Sequence, residues 1–143
     1  MKKELNDLGF TCSYVSNDAE VWIHTQSKAV ACILLSEYIP IAVFREIFNT
    51  ITGIIEGGDF ETFIFDKRSL RTFHQPSMEW YYIEWKTEVA KMGVYKHRKL
   101  LPDLPWFVKA VEIAKLPLLG KLPNDLKERL DITYCKSIEE ALH

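Results

Sequence analysis

The sequence has few glycines, six in 143 residues, and only three cysteines. Gly-Gly occurs once, at Gly57-Gly58, after a helical stretch, whereas a dinucleotide or Walker site needs its glycines before one. Cys12, Cys32 and Cys135 are odd in number and widely spaced, with no Cys-x-x-Cys pair. A zinc ribbon and a thioredoxin-type dithiol are thereby excluded. Neither Gly-x-Ser-x-Gly nor His-Glu-x-x-His is present, so two common hydrolase signatures are missing. The four histidines, His24, His74, His97 and His143, include no pair at helical metal-binding spacing, so neither a metal nor a cofactor is implied. Positive charge is not in excess: 18 basic against 20 acidic residues leave a formal net charge of −2, which disfavours nucleic acid as a partner. The longest apolar run, residues 29–35, is far short of an integral membrane segment. The chain start, Met1-Lys2-Lys3-Glu4, turns acidic where a signal peptide continues apolar. These absences point to a reducing, cytoplasmic setting.

What is present is core material. Hydrophobic residues make up 48% and charged residues 27%, the balance of one globular domain spanning 1–143 with residues 1–10 as a polar lead-in. Tyr14-Val15, residues 21–24 and the apolar run 29–35 read as short strands separated by polar turns, an antiparallel meander. From Ile41 to Ile55, apolar residues recur every three or four positions, predicting an amphipathic helix with a left-handed cap at Gly57-Gly58. Residues 61–66 form a strand ending in Asp66. Pro76-Ser77 offers a stop and cap for a helix running from Met78 to Met92 and closing at Gly93. Residues 94–101 do not alternate cleanly but fit a strand by position. Pro105 suits a first helical turn, and Pro117, Gly120 and Pro123 then break the pattern, leaving a short helix through Leu130. A strand over 131–135 and a Ser137-Ile138-Glu139-Glu140 capping box close the chain. Alternation of helix and strand predicts an α/β domain with a mixed, mostly parallel sheet, antiparallel strands at its N-terminal side and helices packed on it.

Two groups of residues bear on function. Asp66, Ser69 and His74 share the segment between a strand end and a helix start, where α/β proteins place ligands. They could form a ligand or switch loop, or an acid–hydroxyl–imidazole set for hydrolysis. The second group is aromatic: Trp80, Tyr81 and Trp85 on one helix, Trp106 and Phe107 on another. Such residues serve core packing, a dimer face or an apolar pocket. Cys32 reads as a small core hydrophobe. Cys135, just before a helix start, is the one cysteine with a route to activation.

Val21-Trp22-Ile23, the 43–48 helix, the strand Phe63-Ile64-Phe65-Asp66, the Trp80/Trp85 helix and the closing 132–142 segment together resemble the STAS-like or SpoIIAA-like domains, bacterial proteins related to SEC14-like lipid-binding folds. That resemblance implies a non-enzymatic regulatory domain that binds a protein partner, acting as a homodimer through the face of residues 78–92 or 105–119. A lipid or small apolar ligand is the alternative, and a hydrolase using Asp66, Ser69 and His74 a second one. Phosphorylatable members carry an Asp-x-Ser-x-x-x-Gly-like segment after the matching strand. Here it is Asp66-Lys67-Arg68-Ser69-Leu70-Arg71, with the serine one position later and no glycine following. A phosphate on Ser69 would meet Arg68 and Arg71 and add about two negative charges to the loop.

Overall fold

The computed structural model describes residues 2–143. Six strands form one mixed sheet in the order β1-β2-β3-β4-β5-β6. β1 (Thr11–Val15), β2 (Ala19–His24) and β3 (Ala29–Leu34) make the antiparallel meander. β4 (Thr62–Asp66), β5 (Lys96–Leu100) and β6 (Asp131–Tyr134) each add in parallel. β3 is buried along its whole length, as a continuous apolar run requires when both sheet faces are covered.

The parallel steps need crossovers, and these are α2 (Ile41–Glu56), the 75–90 helix and α5 (Pro105–Gly120) with α6 (Asn124–Arg129). Their apolar sides cover one face of the sheet, over Val21, Cys32, Phe63 and Phe65. α1 (Lys2–Asp7) and α7 (Ile138–Ala141) lie on the other face, against Trp22, Ala31, Ile64 and Leu100.

Four local expectations are corrected by the structure. Residues 2–7 are not a polar lead-in but helix α1, which inserts a fully buried Leu5 into the second core. Gly57 caps α2 with φ −84°, an ordinary right-handed value. The need for glycine falls instead on Gly58, where a Cβ would sit 2.6 Å from the Phe60 ring. The second crossover helix begins at Gln75, and its cap is His74: the ring Nδ1 accepts from the Ser77 amide at 3.3 Å. Finally, α5 passes through Pro117 to Gly120. The carbonyl that Pro117 cannot engage belongs to Ile113, a residue 65% exposed on the outer side of the helix. At the chain end the capping box forms: Ser137 Oγ accepts from the Glu140 amide, and Glu140 accepts from the Lys136 amide, both at 3.0 Å.

The 75–90 helix is continuous but changes winding. α3 (Gln75–Trp80) passes into a π-helical turn (Tyr81–Trp85) and then α4 (Lys86–Ala90). The wider turn sets Tyr81, Tyr82, Trp85 and Lys86 together on the buried side. Trp85 Nε1 donates to Thr52 Oγ1 at 3.0 Å, tying this helix to α2 beneath a cluster of Phe48 and Phe63. Gly93 then turns the chain into β5 with φ +96°, a conformation that side chains resist.

Leu5→Ala should lower stability by about 2–5 kcal/mol, because it empties a fully enclosed position. Urea denaturation checks this; a loss within 0.5 kcal/mol, the scale of surface substitutions, would mean that α1 does not dock as described.

Candidate functional site

The carboxyl ends of β3 and β4 open into a pocket of about 50 Å3 lined chiefly by apolar side chains, among them Tyr38, Phe44, Phe65, Phe73, Met78 and Phe107. This is the end of a parallel sheet at which ligands bind. Polar groups on its wall are few: Lys67, Thr72, His74, Ser77 and Tyr81. Lys67 follows β4 directly and is buried, yet its side chain forms no hydrogen bond or ion pair among the described residues. Its amine sits 5.2 Å from the Phe65 ring centroid. Removal from water pushes its pKa down to about 8.

Behind the pocket lies a feature that hydrophobic patterning does not announce. Lys86 on α4 and Lys99 on β5 are both completely buried and face one another's surroundings between helix and sheet. Lys86 Nζ is 4.8 and 4.6 Å from the ring centroids of Tyr81 and Tyr82; Lys99 Nζ is 4.9 and 4.2 Å from the same two rings. Lys99 donates to Tyr82 Oη at 2.6 Å. Lys86 Nζ has no hydrogen-bond partner, and neither have Tyr81 Oη and both ring nitrogens of the fully buried His97. These are the buried side-chain polar atoms without partners among the described residues, and they gather in one layer. Burial first, and then repulsion from neighbouring lysines, holds Lys86 and Lys99 well below the usual lysine range. Burial, with Lys86 and Lys99 adding to it, likewise keeps His97 neutral by depressing its pKa.

No buried carboxylate answers these amines on their side of the sheet. Asp66 follows Phe65 and so points to the opposite face, where Arg68 grips it with two hydrogen bonds of 3.0 and 2.8 Å. That bidentate pair, together with the Arg68 amide bonding the same carboxylate, fixes the turn after β4. It also aims Lys67 into the pocket.

A second concavity, about 880 Å3, lies beyond the ends of β5 and β6. α5 forms the wall between the two: Phe107 faces the pocket, while Val111, Glu112 and Lys115 face the groove. Lys115 packs over Tyr134 at 4.8 Å from its ring centroid.

The residues singled out from sequence therefore separate. Asp66 is committed to Arg68 and His74 to Ser77, whose hydroxyl is 2.8 Å from Nδ1. Ser69 is half-buried in the intervening turn, and no hydrogen bond joins the three. Arg71 donates to the Arg68 and Leu70 carbonyls, so both guanidinium groups beside Ser69 already have partners. Tyr81 and Phe107 line the pocket. Trp85 is wholly buried, Trp80 is half-buried over Phe44, and Trp106 is 51% exposed on α5. The aromatic face of residues 78–92 thus packs on its own sheet. Cys32 is a core residue whose thiol is pushed up by burial, and burial also raises Cys135. Neither is an activated thiolate.

Sequence reasoning missed Lys67, Lys86, Lys99 and His97. One signal was there: Lys96-His97-Arg98-Lys99-Leu100 occupies an interior strand without the apolar alternation that such a strand normally carries. No protein-family model matches the chain, and a search of curated proteins found no match. No helix among the described residues is long and apolar enough to cross a membrane.

The amines give stability a pH dependence of defined sign. In the unfolded chain lysine keeps its proton up to about pH 10.4, whereas the folded protein sheds protons from Lys86, Lys99 and, near pH 8, Lys67. Unfolding takes up protons in that interval, so stability rises with pH between 7.5 and 9. The buried Cys32, whose pKa is raised, opposes part of the rise above about pH 8.5, and Tyr81 does so above about pH 10. Lys86→Met should make the rise shallower, by at most one proton or about 1.4 kcal/mol per pH unit. It should also stabilise the fold near pH 7 by about 1–3 kcal/mol, since an unpartnered buried polar group disappears. Chemical denaturation across pH 7.5–9 decides it; an unchanged slope means that Lys86 keeps its proton in the folded state.

Proposed function

We propose that this chain is a non-enzymatic binding domain that holds a small, largely apolar ligand in the pocket at the carboxyl ends of β3 and β4. The observation that carries the reading is the pocket's composition: an aromatic enclosure with a few polar groups converging on it. The SEC14-like side of the resemblance to STAS-like and SpoIIAA-like domains points the same way. A hydrolytic role is the weaker reading, because Asp66 and His74 are each held by another partner.

Leu70 is half-buried at the pocket wall and serves to test this. Leu70→Trp would fill the space with an indole. The small aromatic probes 2-phenylethanol and phenylacetate should raise the melting temperature of the natural chain and not that of the variant. Equal shifts in both would place binding elsewhere.

Self-association is a second reading, and α5 favours it. Trp106, Ile113 and Leu116 are 51%, 65% and 71% exposed and fall along one side of that helix. Such a row of large apolar groups is the composition of an interface core. If a homodimer forms there, Ile113→Lys should shift the sedimentation coefficient to that of a monomer without changing the circular dichroism spectrum. A natural chain that sediments as a monomer at 100 μM would remove this reading.

A further inference from the structure

One buried amine, Lys67, stands on the pocket wall with two more behind it and no carboxylate to answer any of them. Lys67, Lys86 and Lys99 lie on the same side of the sheet, with the Lys86 and Lys99 amines packed on the same two rings, Tyr81 and Tyr82. Among the described residues, no acidic side chain forms a salt bridge with any of the three. Lys86 and Lys99 are sealed from solvent, whereas Lys67 reaches the pocket wall. A buried amine without a counter-ion is costly to fold, and it persists where something else supplies the opposite charge.

We infer that the ligand is a monocarboxylic acid whose apolar body fills the aromatic pocket and whose carboxylate pairs with the Lys67 amine. This deepens, and rests on, the pocket reading above. The head group is a single negative charge because one amine reaches the pocket, set among apolar walls. A phosphate would leave a second charge desolvated against Phe65, Phe73 and Phe107. Lys86 and Lys99 do not touch the ligand. Ser77 and His74 bond each other, and Lys67 supplies the amine on the wall for the carboxylate.

Phenylacetate and 2-phenylethanol share one aromatic body and differ in the charge of the head, so together they test the assignment by calorimetry. The natural chain should bind phenylacetate at least tenfold more tightly at pH 7. Lys67→Met should remove that preference, bringing the two affinities together. At pH 8.5, where much of Lys67 is unprotonated, phenylacetate binding should take up protons. Titrations in two buffers of different ionisation enthalpy read this uptake, and 2-phenylethanol should show none. The uptake is measured on the natural chain, so it stands even if Lys67→Met fails to fold. Equal affinity for the two probes, or no proton uptake with phenylacetate, overturns the carboxylate assignment and leaves the pocket standing. If neither probe binds, or both bind Leu70→Trp as well as the natural chain, the pocket reading itself falls.

Discussion

The rest of the helical layer is arranged around one constraint: two lysine amines, Lys86 and Lys99, must sit in a space from which water is excluded. Their partners are almost entirely aromatic. Tyr81 and Tyr82 present ring faces to both, and Tyr82 Oη accepts the single hydrogen bond that the Lys99 amine donates. Ring quadrupoles attract a desolvated cation by about 2 kcal/mol, less than the several kcal/mol that dehydration of an ammonium costs. The imbalance expresses itself as lowered proton affinity, so the layer stays dry by keeping amines neutral.

The π-helical turn makes sense in that setting. A regular helix turns 100° per residue and would spread Tyr81, Tyr82, Trp85 and Lys86 over a broad arc. The wider turn narrows that arc, and all four side chains point inward. Trp85 then bonds Thr52 and fixes the distance between this helix and α2. Because Phe44 from α2 and Tyr81 from the π turn both line the pocket, that spacing also sets the pocket's width. The same feature that accommodates the lysines thus shapes the candidate site.

Unpartnered buried groups reduce stability, and natural chains keep them where function requires them. Here they are concentrated beside one pocket rather than scattered. The opposite face of the sheet shows the contrast. There the Asp66 carboxylate is held by the Arg68 guanidinium and backbone amide, and this pairing fixes the turn that follows β4. Asp66 was legible from the sequence as a strand-terminal carboxylate, but its face was not, because alternation along β4 depends on the register with β3.

The sequence alone determined the α/β class, the meander followed by crossovers, the extent of α2 and the closing capping box, since each rests on local periodicity or on residues a few positions apart. It did not determine the docking of α1, where a single Leu5 among polar neighbours carries no periodic signal. Nor did it separate core from surface among the aromatics, because Trp85 and Trp106 have the same composition around them and differ only in what lies opposite. The lysine cluster was decided by tertiary structure entirely. Lys67, Lys86 and Lys99 come from a loop, a helix and a strand, and as single charged residues each reads as solvent-facing. Only the parallel pairing of β4 with β5, and the seating of the 75–90 helix across them, brings the three amines to one side of the sheet without a carboxylate.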